Sequence, residues 1–317
     1  MQIFRHYQNL PEEVRGAAVA IGNFDGVHKG HQEVIGEAGR IARASGIPWT
    51  ALTFEPHPRT LFNPSATPFR LTPFRIKARH VEALGADIMI VLHFDEAFSR
   101  LTAHEFIRQV IIEGLAPHHV VSGYDFAFGH KRRGDCELLL HVGKEEGFGF
   151  TCVSAGLDEA GEPYSSSRVR ELLLGADPRG AASLLGRPFE IEGRIEHGDE
   201  RGHAIGCPTA NLHLDEYLRP AKGVYAIRAG IDRGPQTEWM DGVANLGRRP
   251  TFAGGDVILE AHLFDFDGDL YGQHLRVALI EYLRWEKKFD GIEDLKAQIV
   301  IDSQQARRIL DQERTKG

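Results

Sequence analysis

Two histidines three residues apart, His28 and His31, stand within "AIGNFDGVHKGHQEVI" with glycines at 22, 26 and 30 around them. Side chains at that spacing share one face of a helix, and a helix amino end presents unpaired N–H groups and the positive end of its dipole, which favour anions. The pair is open to three readings: phosphate-handling groups, two ligands of a metal, or surface histidines at a helix start. Zinc needs a third and usually a fourth ligand, and His57 in "FEPHPR" is the candidate third. Further along, "GCPTAN" puts Thr209 and Asn211, both oxygen-bearing, on one side of an extended segment. The alternating "VILEAHLF" places Glu260 and His262 on one face and Leu259, Ala261 and Leu263 on the other.

The elements that must carry these groups change character along the chain. Up to about residue 180, strand-like runs ("AAVAIG", "PWTALTF", "DIMIVLHF", "HHVVSG") alternate with amphipathic stretches at 30–45, 75–84 and 103–114. That alternation marks βαβ units on a parallel sheet, so a helix starting near Val27 is expected to carry both histidines in its first turns. Beyond "SSSRVRELLLGADPRGAASLLGRPF", short strand candidates separated by Gly, Pro and Asp suggest a sandwich or barrel. The stripe Ile292, Leu295, Ile299, Ala306 and Ile309 predicts a closing helix. The expected domains are therefore 1–182 and 183–317. "TPFRLTPFRIK" (67–77) reads as a Pro-containing flexible connection and a candidate lid.

Composition narrows the function classes. With 42% apolar and 26% charged residues, the chain has the balance of an ordinary globular protein. No run approaches the ~20 apolar residues of a membrane helix, and the start lacks a basic-then-apolar secretory leader, so a cytoplasmic protein without membrane association is expected. A net charge of −8 without a long basic run disfavours nucleic-acid binding. Cys136, Cys152 and Cys207 are odd in number and form no C-x-x-C, so they read as reduced thiols. No pattern fixes an oligomeric state, and a homo-oligomer stays open.

The H-x-G-H string His28-Lys29-Gly30-His31 resembles the signature of the nucleotidyltransferase superfamily. More narrowly, "IGNFDGVHKGHQ", "FEPHP" (54–58), "DFAFGHKRRGD" (125–135) and "SSSRVRELL" (165–173), in that order, resemble the bacterial bifunctional riboflavin kinase/FAD synthetase family. The resemblance implies an α/β, Rossmann-like nucleotidyltransferase domain with a parallel sheet, followed by a small all-β riboflavin kinase barrel with a C-terminal helix. It implies attack by a phosphate of FMN on the α-phosphorus of ATP, releasing pyrophosphate. His28 and His31 would hold ATP phosphates and stabilise the transition state, Gly22 and Asn23 would cradle the nucleotide, and Arg170 would contact phosphates beside Ser165 and Ser166. Ser167 stands where the family has threonine. Asp125, Phe128, Arg132 and His57 would hold flavin.

In the second half, "GDERGHAIGCPTANL", "KGVYA", "GVANLGRRPTF" and "LEAHLFDFDGDLYG" resemble the riboflavin kinase module of that family. Thr209 and Asn211 would bind the Mg²⁺ carried by ATP, whose preference is for oxygen ligands. Gly202 and Gly206 would let backbone amides approach phosphates, and Glu260 would take the proton from the riboflavin 5′-hydroxyl. No Walker A sequence is present. The chain departs from the family at His203 (usually arginine), Cys207 (usually phenylalanine) and Arg248 (often small and polar). Loss of a permanent cation at 203 bears on kinase rate more than kinase identity. The implied substrates are riboflavin, FMN and ATP. Two rivals remain: a monofunctional FAD synthetase with a weakened kinase module, and a flavin-binding regulatory protein without turnover.

Overall fold

The computed structural model describes residues 1–195, 209–248 and 257–316. The chain packs as two units, Met1–Thr67 with Thr72–Ser165, and Pro68–Leu71 with Ser166–Gly317.

The first unit holds a parallel six-stranded sheet of β1 (Gln2–Phe4), β2 (Ala18–Ile21), β3 (Trp49–Glu55), β4 (Ile88–His93), β5 (His119–Gly123) and β6 (Gly149–Val153), in the order β1-β4-β3-β2-β5-β6. Its helices are α1 (Lys29–Ser45), α2 (Pro58–Phe62), α3 (Phe74–Ala83), α4 (Glu96–Ser99), α5 (Ala103–Glu105) and α6 (Cys136–Glu146), with α5 running into a π-helical stretch Phe106–Leu115. All four residues of β2 are buried because helices cover both faces of the sheet. One face packs Val19, Ile21, Leu52 and Ile90 against Phe106, Ile107, Val110 and Ile111. The other packs Ala18, Ala20, Ala51 and Met89 against Val34, Ile35, Ala38 and Ile41 of α1. Each such large aliphatic side chain contributes roughly 1.5–3 kcal/mol relative to exposure. The chain runs outward from β2 to β3 and β4, then returns to place β5 on β2's other side. The strand order thus reverses at the carboxyl ends of β2 and β5, where open parallel sheets bind ligands.

The second unit is an antiparallel sheet of β7 (Phe189–Arg194), β8 (Ala210–His213), β9 (Gly223–Ile231), β10 (Met240–Arg248), β11 (Val257–Leu263) and β12 (His274–Arg284), ordered β7-β12-β9-β10-β11-β8. β7 also packs beside β8, so the sheet curls into a near-barrel. Leu212, Tyr225, Ile227, Leu246, Leu259, Val277 and Leu279 fill its interior. α7 (Ser166–Leu174) and α8 (Pro178–Leu185) precede the barrel. The closing helix α9 (Ile292–Lys316) sets Ala306 and Leu310 on Val224, Ala226, Val243, Ala278 and Ile280 of the outer face.

The stretch 67–77 is not the loose connection its prolines suggest. Phe69, Arg70 and Leu71 are buried, and Arg70 pairs with Tyr217 in a parallel bridge within the second unit. From Phe74 onward the stretch is helix α3, with Lys77 fully buried.

Candidate active sites

After β2 the backbone takes left-handed conformations at Phe24 (φ 49°), Gly26 (φ 88°) and Val27 (φ 44°), which delays the helix. α1 therefore begins at Lys29, in keeping with the amphipathic stretch 30–45 but after the start near Val27 that the strand–glycine–helix pattern suggests, and His28 is its N-cap, not part of its first turn. The His28 Nδ1 accepts the His31 amide N–H at 3.4 Å. This cap folds the two imidazoles together, with centroids 3.6 Å apart and planes 22° from parallel. His28 is buried, and Phe24 meets His31 edge-on at 5.5 Å. Gly30 is confined, since a Cβ there would sit 3.3 Å from both His28 Cε1 and Tyr164 Cβ. The loop is held from below: buried Asp25 accepts the Thr72 amide at 3.0 Å, and the Gly26 amide donates to Thr72 Oγ1 at 2.8 Å. Thr53 Oγ1 donates to the Asn23 carbonyl at 3.1 Å. Buried Lys77 in turn donates to Glu55 at 2.9 Å and to Thr53 Oγ1 at 3.4 Å.

At the carboxyl side of the same sheet lies a cavity of about 560 Å³. It brings together Asn23, His57, Phe128 and Arg132 of the residues singled out in the sequence. Its walls are aromatic: Phe54, Phe62, Phe94, Phe98, Phe106 and Phe126 also line it. Phe128 stacks on Phe126 at 5.5 Å and lies 5.1 Å from Phe106. One part of the rim is basic, from the turn His130–Arg132, in which Lys131 and Arg132 both adopt a φ of 56°. Phe128 and Gly134 exchange backbone hydrogen bonds at 3.0 and 2.9 Å, closing this turn, and a Cβ on Gly134 would lie 2.5 Å from the Phe128 ring. His57 caps α2, accepting the Arg59 amide at 3.1 Å. Asp125 is exposed and is not among the lining residues.

Ser165 ends the first unit, whereas Ser166 and Arg170 on α7 pack in the second. Arg170 Nε donates to the Phe69 carbonyl at 2.9 Å, and the guanidinium lies 5.6 Å from the Phe69 ring centroid.

In the barrel, register aligns a polar row. Asn211 of β8 is opposite Glu260 of β11, and Glu260 is opposite Asn245 of β10. Directly paired residues point to the same face, so one amide–carboxylate–amide row crosses three strands while Leu212, Leu259 and Leu246 beside it fill the interior. Thr209 stands immediately before β8, two residues before Asn211. His262 follows on the outer face, 5.9 Å from the Phe264 ring. The alternation of "VANLG" marks a strand, but nothing in the sequence alone singles out Asn245. Gly202, Gly206, His203 and Cys207 lie outside the described residues. Amide and carboxylate oxygens on one face, with the Thr209 hydroxyl next to them in sequence, form a donor set suited to Mg²⁺.

Comparison with known proteins divides the chain in the same order. Residues 10–168 match the family model for FAD synthetase, and residues 185–310 match that for riboflavin kinase. A bifunctional riboflavin kinase/FMN adenylyltransferase of Escherichia coli strain K12 is 41% identical over 98% of this chain and 98% of its own. Its Bacillus subtilis counterpart is 39% identical over 94% of each chain. A solved structure described as a macrolide-efflux protein from Streptococcus pneumoniae is 30% identical and superposes with a TM-score of 0.82, covering 96% of this chain and 98% of that one. Among the described residues, no helix is long and apolar enough to cross a membrane.

Proposed function

Since the chain belongs to the bifunctional riboflavin kinase/FMN adenylyltransferase family and makes FMN from riboflavin and FAD from FMN, we propose that the first unit adenylylates at the stacked histidine pair and the barrel phosphorylates at the Asn211–Glu260–Asn245 row. The observation that carries the first assignment is the 3.6 Å stack of His28 on His31 at the start of α1. An FMN phosphate oxygen attacks the α-phosphorus of ATP, the bond to the bridging oxygen breaks, and pyrophosphate leaves. The negative charge that develops is met by imidazole N–H groups and the amino end of α1, so positioning and electrostatics supply the catalysis. The aromatic cavity suits the flat, apolar isoalloxazine, and its basic rim at Lys131 and Arg132 suits the FMN phosphate. Asn23 lies where the cavity meets the loop that carries the histidines.

In the barrel, the Glu260 carboxylate accepts the proton of the riboflavin 5′-hydroxyl as that oxygen attacks the γ-phosphorus and ADP departs. Asn211 and Asn245 stand opposite Glu260 across the ladder on either side, where their amides would orient the carboxylate. The Thr209 hydroxyl and Asn211 amide oxygen would hold Mg²⁺ carried with ATP, where it would neutralise phosphate charge.

The test is to supply His28→Ala and Glu260→Gln variants with riboflavin, ATP and Mg²⁺ and to separate the flavins by chromatography. His28→Ala is expected to accumulate FMN without FAD. Glu260→Gln is expected to make FAD from added FMN but no FMN from riboflavin. A variant that kept its own step near the wild-type rate would remove that residue from its role.

A further inference from the structure

Cys136 and Cys152, sixteen residues apart, are brought into direct contact with their sulfurs 2.7 Å apart. Cys136 is the first residue of α6, and Cys152 lies on β6, where it pairs with Ser122 of β5. The Cys136 thiol donates to the Gly123 carbonyl at 3.4 Å and lies 3.5 Å from Ser122 Oγ. Both cysteines are free thiols, and Cys152 is exposed, so a small reagent can reach the pair. Although the residue is exposed at the surface, partial desolvation of its sulfur, with the contact to Cys136 next, pushes the Cys152 thiol up to about 12. Cys152 is thus the partner that keeps its proton until a neighbouring sulfur has been activated.

The position of the pair connects it to the flavin cavity. Gly123 ends β5 and Cys136 opens α6. The segment between them, 124–135, supplies Phe126, Phe128, Lys131 and Arg132 to the cavity lining. The thiol–carbonyl contact between Cys136 and Gly123 therefore ties together the two ends of the segment that shapes one side of the cavity.

We propose that Cys136 and Cys152 form a redox-active dithiol, oxidised by a low-molecular-weight disulfide, whose closure retunes FMN binding in the adenylyl step. The Cys136 thiolate attacks one sulfur of the small disulfide, breaking its S–S bond and releasing one small thiol that carries the proton Cys136 lost. Cys152 then attacks the Cys136 sulfur of the mixed disulfide and expels the second small thiol, which takes the Cys152 proton. Two protein thiols are oxidised and one disulfide is reduced to two thiols. The new bond removes the S–H donor from the Gly123 carbonyl and fixes the start of α6 to β6, so the base of the 124–135 segment must readjust. The effect on FMN rests on the reading of the cavity as the flavin site, whereas the disulfide itself does not.

The experiment treats the full chain with excess oxidised glutathione, quenches it with an alkylating agent and digests it for mass spectrometry. A peptide joining Cys136 to Cys152, with Cys207 alkylated, is expected. Cys136 and Cys152 recovered alkylated or glutathionylated without a cross-link would overturn the dithiol. In the cross-linked protein the KM for FMN in the adenylyl step should shift by about fivefold or more. Dithiothreitol should reverse the shift, Cys152→Ser should not respond, and the riboflavin kinase step should be unchanged. An unchanged KM in fully cross-linked protein would overturn the coupling. Arg132→Ala in reduced protein separates the two readings: if it leaves the KM for FMN at the wild-type value, the cavity assignment is what failed.

Discussion

Glu260 and Asn245 face each other across the β10–β11 ladder, and Asn211 faces Glu260 from the other side. The carboxylate is flanked by two amides whose placement follows from strand register alone. An amide that orients a charged group contributes about 1.5–3 kcal/mol. Asn245→Ala should therefore lower kinase kcat/KM by about 10- to 100-fold with FAD formation from added FMN unaffected. Steady-state kinetics of both steps on one preparation make the comparison, and an equal fall in both would mean that the substitution disturbs the fold.

Phe62 lines the cavity while 70% exposed. Its ring has little to contribute to folding and a face free to meet a flat ligand. Phe62→Ala is expected to raise the KM for FMN about three- to tenfold, the value of one aromatic contact, and to leave the melting temperature near wild type. A lower melting temperature with unchanged KM would assign the ring to packing.

Gly134 leaves no room for a side chain, since a Cβ would lie 2.5 Å from the Phe128 ring. Gly134→Ala must displace that ring or open the turn that carries Lys131 and Arg132. The expected result is a KM for FMN raised about tenfold or more, read by titration of the adenylyl step. Kinase activity should persist.

Lys77 is fully buried and donates to Glu55. Removing the ammonium takes a charged hydrogen-bond donor from the partly buried Glu55 carboxylate, at about 1.5–3 kcal/mol. Lys77→Met should lower the denaturation midpoint accordingly, and Lys77→Met with Glu55→Gln should regain part of the loss. If the double variant were no more stable than the single one, the ion pair would not be the source of the effect.

His119 has its pKa lowered from 6.5, chiefly by burial and next by the charge of His118. Its Nε2 lies 2.8 Å from Thr151 Oγ1. The folded state thus binds this proton less readily than the unfolded chain, so stability is fully present above pH 6.5 and declines as pH falls through the lowered folded value. Denaturant unfolding between pH 5 and pH 7.5 should show this slope, and His119→Gln should flatten it.

Much of this was legible from residue order. The alternation of "AAVAIG", "PWTALTF" and "HHVVSG" with amphipathic stretches anticipates the parallel sheet, because burial on both faces leaves a nearly continuous apolar run. β6 was not legible: its Gly, Thr and Cys leave a short strand at the sheet edge without an apolar run. The wall of the cavity could not be read either, since Phe54, Phe62, Phe94 and Phe98 come from separate elements and converge only in the fold. The histidine pair was visible, but its stacking was not, because it depends on left-handed backbone at Phe24 and Val27, where side chains disfavour it. Asn245 required the register of β10 on β11.

The membership of Pro68–Leu71 in the second unit bears on how the enzyme can be dissected. Leu218 donates its amide to the Arg70 carbonyl at 2.7 Å, the Arg70 amide donates to the Glu216 carbonyl at 3.2 Å, and Arg170 grips the Phe69 carbonyl. A fragment begun at residue 166 would carry α7 and the whole barrel but lose four residues that complete its backbone pairing. The backbone pairing of the kinase unit thus draws on chain that precedes Thr72; the two halves are successive in their chemistry but interleaved in their covalent order.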